Sequence, residues 1–251
     1  MERLFNVPID ILRFPLNILI LILWWGSLTM LYRNRPHNAF TRFMLSRAAT
    51  WLSLSFVVLI GIVLGLECQP STTSWPTVLS LLFVLSHLYL IVLRGWYGPK
   101  GIRWRFCFTH LGLLLALGAG FWGAPDRQQL RMAVDTIPSN VAHTMNGDLQ
   151  LLPYTIELES FRMEHSNSGV PTLYEAQIKV DDKSVVLRVN HPYDRTLNEK
   201  IYLVSFGKSQ WNSTYAVIEI VREPWQWISA TGIIMLIAGA TLLFVQGPRK
   251  R

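Results

Sequence analysis

Two histidines set in apolar sequence are the residues best placed to do chemistry. His87 stands in "VLSHLYLIVLRG" and His110 in "FTHLGLLLALGAGFWG". A neutral imidazole can bind a metal or haem iron through one ring nitrogen. It can also carry protons, or hydrogen-bond to a neighbouring helix, and residue type alone leaves these alternatives open. An ionisable group inside an apolar span is costly, so it should face protein or a cavity. His110 lies five residues past Arg105, roughly 7–8 Å along a helix at 1.5 Å per residue. His87 lies seven residues before Arg94 on the preceding span, which places the two histidines at similar depth on antiparallel neighbours. Gly112, Gly118 and Gly120 follow His110 and allow close approach of another helix or of a flat macrocycle.

The other candidates are weaker. His191, in "RVNHPYD", can present a ligand or build a turn, and turn chemistry is the expectation. His143 and His165 read as surface residues, and His37 lies in a basic loop. Cys68 and Cys107 form no CxxC pair and are expected near opposite faces of a membrane, which argues against a disulfide. Cys68 is a candidate redox thiol, and "NST" at Asn212 matches a glycosylation sequon. No HExxH, zinc-ligand spacing, Walker loop, GxSxG or dinucleotide glycine motif occurs.

The surrounding composition is that of a membrane protein with a polar part. It is 51% hydrophobic and 16% charged, against about 25% charged in soluble domains. Five apolar stretches approach the length that a bilayer requires: Phe14–Tyr32, Ala48–Leu66, Pro76–Leu93, Phe106–Gly123 and Trp225–Val245. The first ends in arginines and is therefore not a cleaved signal peptide. Met1–Arg13 is mildly amphipathic and suits a membrane surface. The net charge of +7 reflects arginine-rich loops between the spans, Arg33–Arg47 and Arg94–Arg105, and a basic tail. Such loops face the cytoplasm, so the charge reports topology, with anionic lipid as a secondary contact and no nucleic acid. The N-terminus and Glu67–Trp75 then lie outside. Trp75, Trp122, Trp225 and Trp227 fall at the outer helix ends, where interfacial tryptophans sit.

Ala124–Pro224 has a different character. "DRQQLRMAVD" (Asp126–Asp135) suits a short amphipathic helix. "YTIELESFRM", "YEAQIKV", "SVVLRV", "KIYLVSF" and "YAVIEIV" alternate with period two. Tyr154, Ile156, Leu158 and Phe161 are expected on one face, with a bulge before Phe161. "SNSGVP", "VDDKS" and "HPYDRTLNE" are turn signals. The fold class is a membrane α-helical bundle of about five transmembrane helices, with an extracytoplasmic antiparallel β domain (sandwich or barrel) inserted before the last helix. Four regions follow. Residues 1–47 hold an N-terminal transmembrane helix and basic cytoplasmic loop, and 48–123 a three-helix membrane core. Residues 124–224 form the β-rich domain, and 225–251 the final helix and basic tail.

This order of parts resembles the ResB family of cytochrome c biogenesis proteins, the CcsB component of the system II pathway. "VLIGIVLGLECQP" is similar, loosely, to the end of the family's first helix, and "SWPTVLSLLFVLSHLYLIVLRG" to its second. "THLGLLLALGAG" resembles the third-helix His-Leu-Gly pattern. "LPYTIELESFRMEHSNSGVPTLYEAQIKVDD" resembles the start of the soluble domain. "LRVNHPYDRTLNEKIYLVSFG" and "YAVIEIVREPWQWISATGIIMLIAGATLLF" resemble its Asn-His-Pro segment and final helix. The resemblance runs over roughly Arg47–Arg249, which leaves Phe14–Tyr32 as an addition to the family pattern.

The resemblance implies a subunit of a cytochrome c synthase in the bacterial inner membrane. Its partner would be a CcsA-type, tryptophan-rich (WWD-domain) haem-handling membrane protein. Together they would carry haem b across the membrane and present it for attachment to apocytochrome c, with a thiol reductant as a further partner. His110, in the Thr-His-Leu-Gly motif, is then the axial ligand of the haem iron, with His87 the weaker candidate. The attachment chemistry belongs to haem and the apocytochrome thiols, so no general acid or base is assigned to this chain. Two other functions compete. One is a membrane b-type cytochrome that transfers electrons through haem held by His87 and His110. The other is a non-catalytic scaffold docking apocytochrome c.

Overall fold

The structure is a computed structural model and describes residues 9–66, 73–98, 101–165, 171–208 and 214–246. Cys68, the Asn212 sequon, most of the "SNSGVP" turn and the basic tail lie outside these described residues. The chain forms a helical unit, Met1–Asp126 with Trp225–Arg251, and a β unit, Arg127–Pro224.

The helical unit contains α1 (Leu16–Asn34), α2 (Ala39–Met44), α3 (Arg47–Leu66), α4 (Trp75–Trp96), α5 (Trp104–Leu117) and α6 (Gln226–Gln246). α5 runs on into a single π turn, Gly118–Trp122. Leu16–Asn34, Trp75–Trp96, Trp104–Trp122 and Gln226–Val245 are long and apolar enough to cross a membrane by length and composition. α3 contributes a shorter apolar stretch, Arg47–Val63. The Arg33–Arg47 loop expected from the sequence holds the short helix α2. Asn38 caps it, its side-chain oxygen accepting from the Thr41 backbone N–H at 2.6 Å.

α4 is the buried centre of this unit. Leu85, Leu90 and Val84 are inaccessible or nearly so, and α1, α3 and α5 pack around the helix. The added first helix is built into this core. Trp24 Nε1 donates to Ser86 Oγ at 2.7 Å, Trp25 stacks on Tyr89 at 5.1 Å, and Thr29 and Tyr89 share a hydrogen bond of 2.7 Å. At the far end of α5 the Asp126 carboxylate accepts from the Phe14 N–H (2.8 Å), Asn17 Nδ2 (2.7 Å) and Trp225 Nε1 (2.6 Å). A buried carboxylate is tolerable because its oxygens are bonded in this way. Trp122 departs from the interfacial role expected of it. It is buried, and its Nε1 donates to the Asn17 carbonyl at 3.2 Å.

The β unit is one antiparallel sheet of eight strands, in the order β5-β4-β3-β2-β1-β8-β7-β6. The strands are β1 (Gln128–Val134), β2 (Ser139–Thr144), β3 (Leu149–His165), β4 (Pro171–Val180), β5 (Lys183–Arg188), β6 (Tyr193–Thr196), β7 (Glu199–Lys208) and β8 (Thr214–Arg222). The "DRQQLRMAVD" segment is therefore strand β1, not a helix. It sits mid-sheet between β2 and β8, and Leu130, Met132 and Val134 are buried at every second position. Part of "HPYDRTLNE", expected as turn, is the short strand β6. Tyr154, Ile156 and Leu158 enter the core with Phe161 packed against it, and the register shifts between Leu158 and Ser160. This is the expected face and the expected bulge.

The edge strands β5 and β6 follow each other in the chain, and the sheet curls to bring its edges together. Asn190, at φ +64°, turns the chain left-handed between them. His191 is exposed in that turn, and its N–H donates to the Arg188 carbonyl at 3.0 Å. Arg195 on β6 donates to Asp181 of the β4–β5 turn at 2.7 Å and to Glu199 at 3.0 Å. Glu199, 5% exposed, also receives Tyr154 Oη at 2.8 Å and the Arg222 guanidinium.

Candidate functional site

His110, near the start of α5, lines a cavity whose other wall comes from α6. These two antiparallel helices cross closely because small residues meet. A Cβ added to Gly112 would lie 2.7 Å from the Gly232 carbonyl oxygen, and one added to Gly232 would lie 2.6 Å from the Ala116 nitrogen. A Cβ added to Gly239 would likewise lie 2.9 Å from the Thr109 nitrogen. Of the three glycines after His110, Gly112 makes the close packing expected of it. Gly118 is in ordinary contact with Leu85, and Gly120 has open space around it.

Beyond Gly239 the helices leave a cavity of about 570 Å³ at the start of α5, within the 300–1,000 Å³ range of small-molecule and cofactor sites. Arg103, Trp104, Arg105, Phe106, His110, Leu242 and Leu243 line it. The imidazole is fixed from two directions. His110 Nδ1 lies 2.8 Å from the Phe106 carbonyl oxygen, which can only accept, so Nδ1 carries the proton. The neutral ring then keeps a lone pair on Nε2. The Phe106 ring stacks on the imidazole with centroids 3.9 Å apart and planes 27° apart, and the Arg103 guanidinium lies 4.4 Å from the Phe106 centroid. Residues 103, 106 and 110 share one face of the helix by their spacing.

His87 is placed differently. It is 2% exposed, and its Nδ1 is 2.6 Å from the Met44 carbonyl, at the end of α2. Gly95 packs on Phe106 and Cys107, and Gly118 on Leu85. That register sets His87 level with Leu114, four residues from His110, or about 6 Å at 1.5 Å per residue. The two histidines thus lie within about one helical turn of each other in depth. The structure directs His110 to the α5–α6 cavity and His87 into the packing around Met44.

The remaining candidates do not join this site. Cys107 is a buried free thiol beside Gly95. His37, His143 and His191 are exposed. Among the described residues no three His, Cys, Asp or Glu side chains come together as metal ligands. The donor set at His110 therefore suits a metal that brings its own ligands. A haem iron fits that description, because the porphyrin fills four positions and leaves axial places for imidazole. The free Nε2 and the largely apolar walls match such a group. Phe106 and Arg103 were not singled out from the sequence: one reads as an ordinary apolar residue, the other as topology charge.

The ResB-like family model matches residues 100–217, which takes in α5, its π turn and most of the β unit. Over this span the chain is similar to the ResB-like family. His110, Phe106 and Arg103 fall inside the match, whereas α1 to α4 and α6 lie outside it. The matched span is narrower than the resemblance over Arg47–Arg249. No curated protein matches the chain.

Proposed function

We propose that this protein is the ResB-like subunit of a membrane-embedded system II cytochrome c synthase. In this reading α1, α3, α4, α5 and α6 span the bacterial inner membrane, with the basic loops inside and the β unit on the extracytoplasmic side. The observation that carries the reading is His110. It lies within the family match, in a largely apolar cavity, with Nδ1 committed to Phe106 and Nε2 left with its lone pair. When bound, haem b supplies the iron and the vinyl groups that apocytochrome c thiols modify. This chain's residues hold and orient it. The Phe106 carbonyl fixes the tautomer of His110 and raises its basicity as a ligand. The Phe106 ring and the apolar wall from Leu242 and Leu243 restrict water around the imidazole. A CcsA-type partner would complete the haem site, and no side chain of this protein is given an acid or base role. A thiol reductant serves the apocytochrome.

The single-chain cytochrome reading requires His87 and His110 on one iron. The engagement of His87 with Met44 disfavours it. Capture of native membrane complexes through this chain, followed by haem staining and absorption spectra, tests the proposal. Low-spin haem that depends on the partner supports a synthase subunit. Low-spin haem on the isolated chain supports the cytochrome, and no haem in either preparation leaves a scaffold for apocytochrome c.

A further inference from the structure

We infer that Arg103 receives a carboxylate of the molecule held through His110. The site is thereby specific for a macrocycle with an acidic edge, and that edge is turned to the basic start of α5. This inference rests on the reading of His110 as an iron ligand and adds an orientation to it.

The geometry comes from three stacked groups. The iron bound by an imidazole lies in the plane of that ring, and the macrocycle stands perpendicular to the iron–nitrogen bond. The normal to the imidazole therefore runs parallel to the macrocycle plane. Phe106 stacks on His110 with centroids 3.9 Å apart, and the guanidinium of Arg103, one turn earlier at the N-cap of α5, lies 4.4 Å from the Phe106 centroid. Two stacking steps along the macrocycle plane reach from its centre to the substituents on its rim. Arg103 is thus placed beside the rim and away from the metal.

The charge chemistry agrees. Among the described residues no carboxylate pairs with Arg103, although the arginines of the β unit are paired with neighbouring acids. The Arg103 guanidinium lies over the Phe106 ring and lines the largely apolar cavity, where its planar fork stays open to a carboxylate. Leu242 and Leu243, which line the same cavity from α6, offer no partner for a charge. A porphyrin with carboxylates on one edge and apolar substituents on the other therefore has one favoured seating. Its acidic edge meets Arg103, and its apolar edge points along α5 toward the Gly112 crossing.

The test compares iron protoporphyrin IX with its dimethyl ester, titrated into the full chain with its membrane partner and read by the Soret band. The expected result is that the wild type prefers the free acid by about tenfold or more, the contribution of one charge-assisted hydrogen bond. Arg103→Gln should lose that preference by weakening the acid alone, with the ester affinity and the low-spin spectrum unchanged. Arg103→Lys should restore part of it. An acid preference retained in Arg103→Gln would overturn the inference, as would an equal loss of both ligands, which would mark a structural role. The underlying reading fails separately. If His110→Gly binds both porphyrins with the wild-type spectrum, or the wild type binds neither, His110 is no iron ligand and the inference falls with it.

Discussion

His87 and His110 differ in what surrounds each ring. Both use Nδ1 on a backbone carbonyl, Met44 for one and Phe106 for the other. His110 borders a cavity large enough for a macrocycle, whereas His87 is 2% exposed within the helix packing. His87→Ala should therefore keep the haem spectrum of the complex while leaving the Met44 carbonyl without its donor. The cost is about 1–3 kcal/mol of stability, read as a lower melting temperature with an unchanged Soret band. Haem loss equal to that of His110→Gly would revive the bis-histidine cytochrome. In the β unit, Glu199 carries a different residue-scale claim. Burial pushes its carboxyl up, but hydrogen bonds from Arg222, Tyr154 and Arg195 outweigh that and hold it below the usual carboxylate value. Burial and the hydrogen bond to Glu199 push the Tyr154 hydroxyl well above the ordinary tyrosine value. A carboxylate with a depressed folded-state value adds stability that is full above its unfolded value, about 4.3 for glutamate. That stability disappears as pH falls through the folded value. Hydrogen exchange in β7 and β8 should thus be protected at neutral pH and rise steeply below about pH 4. Glu199→Gln should flatten that acid dependence and reduce protection at pH 7 about tenfold or more, since it leaves two arginines facing a neutral group. Unchanged exchange would show that the cluster contributes nothing. His110 was legible in the sequence as an ionisable group in an apolar run. Phe106 and Arg103 were not, because a stack along one helix face has no signature of its own in residue types.

At the scale of elements, the α5–α6 crossing positions the site. Gly112 and Gly232 bring backbone against backbone, and the cavity opens only beyond Gly239. A Leu at position 112 meets main-chain atoms that cannot move aside, so Gly112→Leu should separate the helices. Overpacking of this kind costs about 1–3 kcal/mol. The expected outcome is reduced haem retention and faster proteolysis, whereas Gly120→Leu, which has open space around it, should behave as wild type. Equal behaviour of the two variants would remove the crossing from the account. The close packing at Gly112 was readable from the glycine pattern. β1 was not readable, because Gln, Arg, Met and Ala are good helix formers and only its place between β2 and β8 selects a strand. Trp122 was likewise misread, since a tryptophan at a helix end serves an interface or a core according to neighbours such as Asn17.

For the whole molecule, the order of parts was legible. Five apolar segments, a run of alternating strands and a last helix reappear as helices, an eight-stranded sheet and α6. What the sequence hid is the depth to which α1 is integrated. Asn17, 0% exposed, and the paired Asp126 are contacts between residues 109 positions apart, and no local pattern announces them. The proposed topology places α2 inside and the β2–β3 turn outside. In a chain lacking Cys68, an impermeant thiol reagent added from outside should label Asn146→Cys and spare Arg42→Cys. Labelling of Arg42→Cys would reverse the orientation. The central claim is that one imidazole of this chain holds haem in the membrane, and His110→Gly with added imidazole tests it most directly. The variant should still insert, because its apolar segment is intact. In a strain lacking the native chain, it should lose low-spin haem and the haem-stained cytochrome c, and imidazole in the medium should restore both in part. Full cytochrome c maturation by His110→Gly without imidazole would contradict the claim.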